Sequence, residues 1–558
     1  MIYFSTLLLS IFATVALIPA FSRLAIRYNI GLDMPDARKV HRQPIPRVGG
    51  IAIALAVYAS AVLWSAEGHF LRAYLMASAL LILFGVIDDL KGLDFRVKFL
   101  SQVIAALIVV LYGGVTIRSL GALLPVDWAL PEAVAVPLTL VAIVGVTNAI
   151  NLSDGLDGLA GGICLLSFCC LGYLAYLEGN LTLSLLALAL CGSIFGFLRY
   201  NTYPAQLFMG DTGSQFLGFS AASVSLALTQ GKTSLSPLVP LLILGLPILD
   251  TLAVMAQRLA EKKPLFSPDK NHFHHKLIRL GFVHSESVLL IYMLQALLVA
   301  AALLFRFQSE WLLLSGYLLL AALILAGFHR ADKAHWTIPR YDFLDRIVKG
   351  RVSRVREKAL FIRVSFRVVQ FGIPLLLLAT CMIPAEIPSY FSLLSAVFLV
   401  VLLLAWKFRS GWMRGCLMAI LYLFIPVIVF VSVDQANGAI PFFVLRLYNV
   451  SYLVLVFFVV LTLKLTRRQK GFKTTPMDFL ILFLALVLPE LLRDYVEVKD
   501  LKIIAAKTVM FFFSFEVLMG ELRGKLNGLA MAGILSLLAV IVRGIWTGWP
   551  QALATIGH

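Results

Sequence analysis

The chain contains few charged residues: Asp, Glu, Lys and Arg together make up 14% of its 558 positions. Soluble domains carry about 25%, so the composition excludes a chain that is mostly exposed to water. Hydrophobic residues make up 60%, and the mean hydropathy is +0.93. Apolar runs of about 17 to 25 residues, long enough to cross a bilayer as helices, recur from end to end. The composition therefore predicts an all-α polytopic membrane protein.

Cysteine is also scarce. The six cysteines lie in or beside apolar runs without metal-ligand spacing, and we interpret them as small core residues. Acidic residues are outnumbered, 30 against 47 Lys and Arg, giving a formal net charge of +17. Because the basic residues lie in loops between apolar runs, the positive-inside rule accounts for the excess, and we expect no nucleic-acid partner. Residues 2–21 lack a basic leader and a small-residue cleavage site, so we expect a span there, not a signal peptide.

Basic loops also predict the topology. Residues 23–47 contain six Arg and Lys, which predicts a cytoplasmic loop and an external N-terminus. We expect about 18 spans, about 11 of them before residue 330 and about seven after residue 368. After the first, the spans are predicted near 50–65, 72–88, 96–113, 134–150, 159–178, 181–199, 213–229, 237–258, 285–305, 311–329, 369–385, 390–406, 415–433, 440–463, 477–490, 502–520 and 528–545. The segments then expected on the cytoplasmic side are 23–47, 89–95, 148–158, 200–212, 259–284 and 330–367.

The predicted organisation has three parts. Residues 1–330 form a membrane domain that carries all the polar motifs. Residues 331–367 form a basic cytoplasmic linker, interpreted as an anchor beside anionic lipid. Residues 368–558 form an additional multi-span domain of unknown role, in which we find no comparable polar motif.

The most informative motif is residues 148–158, which follow an apolar run. Asn148, Asn151, Asp154 and Asp157 recur there at every third position among glycines. Carboxylates at a membrane boundary are energetically costly and indicate function. Asn and Asp oxygens suit Mg²⁺, which usually shares its coordination with substrate phosphates and water. An ordinary Asn/Asp/Gly turn is the alternative, but it leaves the regular spacing unexplained.

A pair of adjacent carboxylates, Asp88 and Asp89, ends the third predicted span. Neighbouring carboxylates repel each other unless a cation or a proton relieves them. Such a pair suits metal-assisted phosphate chemistry or a general base. Solvation at a helix end, with ion pairs to nearby lysines, is an equally good interpretation of the pair alone.

A third motif lies on the same predicted face. In residues 199–214, Asp211 begins an apolar span between Gly210 and Gly213, where a helix N-terminus could receive phosphates or be capped by its own side chains. Phe208 just before it could stack on a base or simply pack.

The fourth and fifth motifs are basic. In residues 268–276, His272, His274 and His275 form a predicted cationic cluster that favours phosphate binding over Zn²⁺, for which the usual spacing is missing. Residues 38–50 combine cations with a glycine pair, which could neutralise phosphates, although composition alone favours ordinary positive-inside charge. Acids for a divalent metal, cations for phosphates and an adjacent membrane together indicate phosphoryl transfer at a bilayer surface.

These motifs resemble the polyprenyl-phosphate N-acetylhexosamine-1-phosphate transferase family over residues 1 to about 330. Five motifs occur in the family's order: RKVHRQPIPRVGG, the DD pair, NAINLSDGLDGLAGG, YNTYPAQLFMGDTGS and DKNHFHHKL. The His-x-His-His form is similar to the WecA and TagO branch, which uses UDP-N-acetylglucosamine. The alternative is the branch acting on UDP-N-acetylmuramoyl-pentapeptide, but that branch has consecutive histidines where this chain has Phe273.

The resemblance implies transfer of N-acetylhexosamine 1-phosphate from a UDP-sugar to undecaprenyl phosphate, with release of UMP, at the cytoplasmic face of a bacterial inner membrane. It implies that Mg²⁺, with Mn²⁺ as the alternative ion, binds near Asn151 and Asp211. Asp88 or Asp89 would act as base or nucleophile at the lipid phosphate. The family leaves direct and covalent transfer open, and the sequence leaves open whether the chain forms a homodimer.

The remaining site residues implied by the resemblance bind substrate. Asp154 and Asp157 would hold nucleotide and diphosphate. The others match positions near the entrance, the uracil, or the phosphates and sugar: Lys39, His41, Asn148, Asn201, Phe208, His272, His274 and His275. A transporter with a degenerate transferase domain is the competing interpretation, but it predicts polar groups near the midplane in paired repeats. A pure scaffold would leave the clustering of motifs unexplained.

Overall fold

A computed structural model describes residues 2–34, 44–64, 68–125, 128–264, 271–338, 359–407, 413–434, 440–465, 480–481, 501–521 and 526–556. Among these residues, 13 helices are long and apolar enough to cross a membrane. The predicted all-α polytopic fold is confirmed. The chain divides into two compact units: Met1–Pro339 with Thr475–Leu480, and Arg340–Thr474 with Ile481–His558.

The first unit contains thirteen described helices and one short hairpin. The helices are α1 (Ile2–Tyr28), α2 (Gly49–Trp64), α3 (His69–Lys91), α4 (Phe95–Leu107, continued by a π-helical turn Ile108–Tyr112), α5 (Glu132–Ser153), α6 (Leu159–Leu177), α7 (Leu181–Asn201), α8 (Gly210–Thr229), α9 (Val239–Ile243), α10 (Gly245–Ala260), α11 (Phe273–Arg279), α12 (His284–Leu304) and α13 (Glu310–Lys333). Strands β1 (Leu32–Asp33) and β2 (Ile45–Pro46) pair antiparallel.

Helix α8 is buried along nearly its whole length. It packs against α2, α3, α5 and α6, while α7 packs against α1, α2 and α6. Helices α6 and α7 are likewise apolar and largely buried, as expected of helices surrounded by other helices. Asp211 lies in the first turn of α8, so this buried helix begins at the candidate site.

The close packing of α2 on α8 depends on glycine. A Cβ atom on Gly50 would lie 2.2 Å from the backbone nitrogen of Gly213. The N–H of Gly49 donates to the carbonyl of Phe208 at 3.0 Å, and the N–H of Gly50 donates to the carbonyl of Met209 at 2.9 Å. The glycine pair of the first motif thus allows two backbones to meet just before α8 begins.

The span predicted at 237–258 is not one continuous helix: a break at Leu244 divides it into α9 and α10. The apolar composition continues through the break, but Pro247 lacks the N–H that would donate to the carbonyl of Ile243 in a continuous helix. Gln295 supplies the missing bond, with its Nε2 2.7 Å from that carbonyl oxygen. A neighbouring helix therefore stabilises the break, as required where no water is available.

The second unit has six described helices: α14 (Ala359–Met382), α15 (Ser389–Lys407), α16 (Met413–Asp434), α17 (Phe442–Leu465), α18 (Leu501–Glu521) and α19 (Asn527–Ile556). The predicted span at 477–490 lies almost entirely outside the described residues.

A cluster of polar side chains, made of Thr380, Tyr448, Tyr452 and Lys507, connects three helices of the second unit. The Thr380 hydroxyl lies 3.0 Å from that of Tyr448 and 3.1 Å from that of Tyr452, and Lys507 Nζ lies 4.5 and 5.2 Å from the centroids of the two rings. The members of this cluster are scattered along the sequence, so they form no motif comparable to those of the first unit. Hydrogen bonds and cation–π contacts of this kind link helices inside a membrane.

Candidate active site

The carboxylate of Asp89, at the end of α3, caps the N-terminus of α8. It accepts hydrogen bonds from the backbone N–H groups of Asp211 at 2.8 Å and Thr212 at 3.0 Å, and from the Thr212 hydroxyl at 2.6 Å. Gly210 has φ +71°, and a Cβ there would lie 2.4 Å from a carboxylate oxygen of Asp89. The glycine therefore allows the acid to reach the positive end of the helix dipole.

Asp88 faces a different partner. Its Oδ1 accepts from the N–H of Leu93 at 2.6 Å, and its Oδ2 lies 2.5 Å from Lys98 Nζ. The same ammonium is 3.5 Å from Asp211 Oδ2. Lys98, on α4, is therefore the cation between two site carboxylates. The sequence did not single it out as a site residue, because a lysine near a span end is ordinary there.

Two carboxyl groups in this region titrate far above the usual range of an aspartate. The pKa of Asp154 is raised to about 7, by burial first and then by repulsion from Asp211, Asp157 and Asp89. The pKa of Asp211 is raised to about 6, by burial and by the neighbouring Asp88. The site thus holds more negative charge than its own cations balance.

The two asparagines of the 148–158 motif enter a polar network between helices. Asn148 Nδ2 donates to Gln102 Oε1 at 2.6 Å, and Gln102 Nε2 donates to Gln215 Oε1 at 3.2 Å. Asn151 Oδ1 accepts from the Ser214 hydroxyl at 2.7 Å. The sequence alone does not indicate Gln102 and Gln215 as site residues, since each is a single amide within an apolar run. Their spacing of four residues from Lys98 and Asp211 was the available signal.

The loop after α5 is fixed by side chains from two other helices. Asn201 Oδ1 accepts from the N–H of Gly158 at 2.9 Å, while its Nδ2 donates to the carbonyl of Leu207 at 2.9 Å. The Tyr292 hydroxyl donates to the carbonyl of Gly158 at 2.6 Å. Asn201, expected near the uracil, is buried and uses both ends of its amide to join two loops.

Asp157 and Phe208 lie at the same junction. Asp157 Oδ2 accepts from the N–H of Ala205 at 2.9 Å. Phe208 is held by its backbone, because its N–H donates to the carbonyl of Pro46 at 2.8 Å and its carbonyl accepts from Gly49. Both predicted substrate-binding positions therefore belong to the interface between loops that arrive from α2, α5 and α7.

The histidine motif begins α11 and packs against the 148–158 motif. A Cβ atom on Gly155 would lie 2.3 Å from His274 Nε2, so the imidazole rests directly on the glycine backbone. The rings of His272 and His274 are near parallel, with centroids 5.9 Å apart, and the centroid of His275 is 4.2 Å from that of His274. Burial, and then the neighbouring histidines, lower the pKa of His274 to about 3, which favours the neutral form of this ring within the predicted cationic cluster.

The structure thus brings together ten of the described candidates: Asp88, Asp89, Asn148, Asn151, Asp154, Asp157, Asn201, Phe208, Asp211 and His274. His272 and His275 adjoin His274. Lys39 and His41 lie outside the described residues.

Comparison with known proteins matches residues 71–229 to glycosyl transferase family 4. The chain is 36% identical over 314 residues, 55% of this chain and 85% of the relative, to the probable undecaprenyl-phosphate N-acetylglucosaminyl 1-phosphate transferase of Bacillus subtilis (strain 168). It is 32% identical over 365 residues, 63% of this chain and 96% of the relative, to the undecaprenyl-phosphate alpha-N-acetylglucosaminyl 1-phosphate transferase of Escherichia coli (strain K12). The chain belongs to glycosyl transferase family 4.

The family 4 match runs from α3 to the end of α8, so it includes both carboxylates of α3, the 148–158 motif and the start of α8. The histidine motif and the hairpin lie outside that match. Next to the hairpin, Arg47 pairs with Asp33, and its positive charge offsets part of the rise in the pKa of Asp154. The family 4 site is therefore completed by elements on both sides of the matched segment.

The donor set of this family 4 site fits a divalent cation of the Mg²⁺ type. Among the described residues, no group of three or more His, Cys, Asp or Glu side chains is arranged to hold a metal alone. The raised pKa values of Asp154 and Asp211 nevertheless indicate crowded carboxylates, which a hard cation relieves. Mg²⁺ commonly uses one or two carboxylates together with water and substrate phosphates.

Proposed function

We propose that the chain transfers N-acetylglucosamine 1-phosphate from UDP-N-acetylglucosamine to undecaprenyl phosphate. A phosphate oxygen of the lipid attacks the sugar-bearing phosphorus, the bond from that phosphorus to the UMP oxygen breaks, and UMP leaves. The product is a lipid diphosphate sugar, with which synthesis of a cell-envelope polysaccharide would begin. The names of the two relatives support the acceptor and the transferred group, and the convergence of Asp88, Asp89 and Asp211 at the start of α8 supports the chemistry.

The geometry favours different roles for the two adjacent acids. Asp89 uses both carboxylate oxygens to hold the N-terminus of α8. Asp88 instead faces Lys98 and Asp211, the groups around which phosphates would gather. We therefore assign Asp88 to the reaction itself and Asp89 to holding α8 in place. In direct transfer Asp88 would be the base that accepts a proton from the lipid phosphate. In covalent transfer its carboxylate would attack the sugar-bearing phosphorus and displace UMP, and the lipid phosphate would then attack the same phosphorus and release Asp88; both routes satisfy this arrangement.

The cation would be held by Asn151 and Asp211, with Mn²⁺ as an alternative to Mg²⁺. When bound, it would neutralise charge on the donor diphosphate. Lys98 contributes a fixed positive charge beside the same carboxylates. The N-terminus of α8 adds oriented backbone dipoles that favour an anionic ligand.

The donor would lie along the 148–158 loop, with Asp154, Asp157 and the histidines of α11 around its diphosphate and sugar. Lys39 and His41 would act at the entrance. We place this site at the cytoplasmic face of a bacterial inner membrane, where sugar nucleotides are available, since basic loops accompany its motifs.

The deciding experiment is a donor panel with purified full-length protein, Mg²⁺ and undecaprenyl phosphate, read out as UMP release. UDP-N-acetylglucosamine should give the fastest release, ahead of other UDP-N-acetylhexosamines and UDP-N-acetylmuramoyl-pentapeptide. Asp211→Asn should abolish release while the protein still folds. Absence of UMP with every donor would overturn the proposal, and faster release with the pentapeptide donor would move the chain to the other branch.

A further inference from the structure

A buried carboxylate outside all five motifs contacts the histidine motif. Asp250 lies on α10 and is 6% exposed, and His272 is 5% exposed. Asp250 Oδ2 is 3.0 Å from His272 Nδ1, and Asp250 Oδ1 accepts from the backbone N–H of Phe273 at 2.8 Å. One carboxylate therefore binds both the histidine that precedes α11 and the first N–H of that helix.

This contact selects one form of the imidazole. An ionised carboxylate only accepts hydrogen bonds, so the proton of His272 must be on Nδ1. Nε2 is then the ring nitrogen left to meet another group. The two donors face different oxygens of the carboxylate, so an amide at position 250 would turn its NH₂ toward one of them, either Nδ1–H or the N–H of Phe273.

The position of Asp250 follows from the break between α9 and α10. The break starts a new helix at Gly245, and Asp250 follows one and a half turns later. A cavity of about 10 Å³ beside it, with room for about one water molecule, is lined mainly by apolar side chains such as Leu246 and Ile291. With so little water to compete, the contact with His272 is well placed to fix the ring.

We propose that Asp250 is a positioning residue of the transfer reaction: it holds His272 in the Nδ1–H form and presents Nε2 to the diphosphate or sugar of the donor. The proposal rests on the proposed function, because it assumes that His272 meets the sugar nucleotide. His272 lies beside His274, which in turn rests on Gly155 of the donor loop. Asp250 would therefore act on the donor side of the site and not at the lipid phosphate.

The first test is independent of turnover. Solid-state ¹⁵N spectra of full-length protein with labelled histidine, compared with those of His272→Gln, should assign a signal with a protonated Nδ1 and an unprotonated Nε2. Asp250→Asn should change the ratio of the two tautomers of that signal. An unchanged ratio in Asp250→Asn, or a wild-type His272 protonated on Nε2 only, would overturn the proposal even if UMP release is normal.

The second test uses kinetics. Asp250→Asn and His272→Gln should each lower kcat/KM for the UDP-sugar by about 10- to 100-fold, the range expected when a hydrogen bond to a charged group is lost. KM for undecaprenyl phosphate should stay within the error of the wild-type value. In the double variant kcat/KM should be no lower than in the more impaired single variant, because both substitutions remove the same interaction between Asp250 and His272. Asp250→Glu should recover part of the loss.

The control is Glu286→Gln, the same change from carboxylate to amide at an exposed side chain that accepts from the backbone N–H of Val283, at the start of α12 and outside the site. It should leave both kinetic constants near wild type. If the losses of the two single variants multiply in the double variant, or if KM for the lipid rises as much as kcat/KM for the UDP-sugar falls, Asp250 only supports the fold. If no sugar nucleotide is turned over, the spectra still decide the positioning claim, so its failure and that of the proposed function remain separate.

Discussion

At the residue scale, replacing Asp88 or Asp89 of α3 by Asn should remove different interactions. In Asp89→Asn, an amide NH₂ would face the backbone donors of α8, so at least one buried N–H loses its acceptor at about 1 to 3 kcal/mol. We expect a lower melting temperature together with lost UMP release. Asp88→Asn should lose UMP release with a smaller change in melting temperature. Asp88 accepts from one backbone N–H, that of Leu93, which the amide oxygen of Asn can still serve, and its other oxygen faces Lys98 at the site. Thermal unfolding of both variants beside the activity assay checks this. Equal destabilisation would contradict the division of roles.

The raised carboxyl pKa values also predict a pH dependence of stability. Asp154 and Asp211 have pKa values of about 7 and about 6, above that of an unfolded Asp, so the folded protein binds more protons than the unfolded chain at intermediate pH. Their stabilising contribution is complete at about pH 4 and is lost as pH rises through 6 and 7. In chelator, the melting temperature should therefore fall from about pH 5 to about pH 8, and Mg²⁺ should restore it most at high pH. In Asp154→Asn, the melting temperature measured in chelator should depend less on pH. A melting temperature that rises over this interval would refute the expectation.

At the element scale, the approach of α2 to α8 sets the position of the site. Gly50→Ala places a methyl group against the backbone of Gly213 and should destabilise the protein by about 1 to 3 kcal/mol, the usual range for overpacking. Because α8 carries Asp211, UMP release should fall as well. Gly145→Ala is the matched control: a Cβ there meets nothing within 4 Å, and alanine favours a helix. Melting temperatures of the two variants should move in opposite directions. A Gly50→Ala variant as stable and active as wild type would show that the contact can relax.

Elements were easier to predict than their interruptions and contacts. Spans were predicted because hydropathy is a local property, and the break before α10 was missed because the apolar run continues through it, although Pro247 was a visible signal. In the site, the acidic and histidine motifs could be recognised from the sequence because their members lie close together at regular spacing. Lys98, Gln102 and Asp250 did not, because single polar residues in apolar runs gain meaning only from the helices they face. Their detection requires the packing of α4 and α10, which periodicity does not give.

At the scale of the whole molecule, the two units separate chemistry from an extension of unknown role. All five motifs lie within residues 38–277, and the relatives match 314 and 365 residues of the chain over most of their own length. The first unit should therefore suffice for catalysis. A chain ending at residue 358, before α14, should fold and release UMP at a rate comparable to that of the full chain. Loss of turnover in a folded truncated protein would show that the second unit contributes to the reaction.

A point substitution in the second unit tests the same separation without removing any chain. Lys507→Met keeps a long side chain but deletes the charge above the rings of Tyr448 and Tyr452. It should weaken the packing of α18 on α17 by about 0.5 to 2 kcal/mol, the range of cation–π contacts from exposed to desolvated sites. UMP release in the full chain should be unchanged, because every motif of the transferase site lies in the first unit. A drop in turnover with the first unit still folded would instead show that the two halves are coupled.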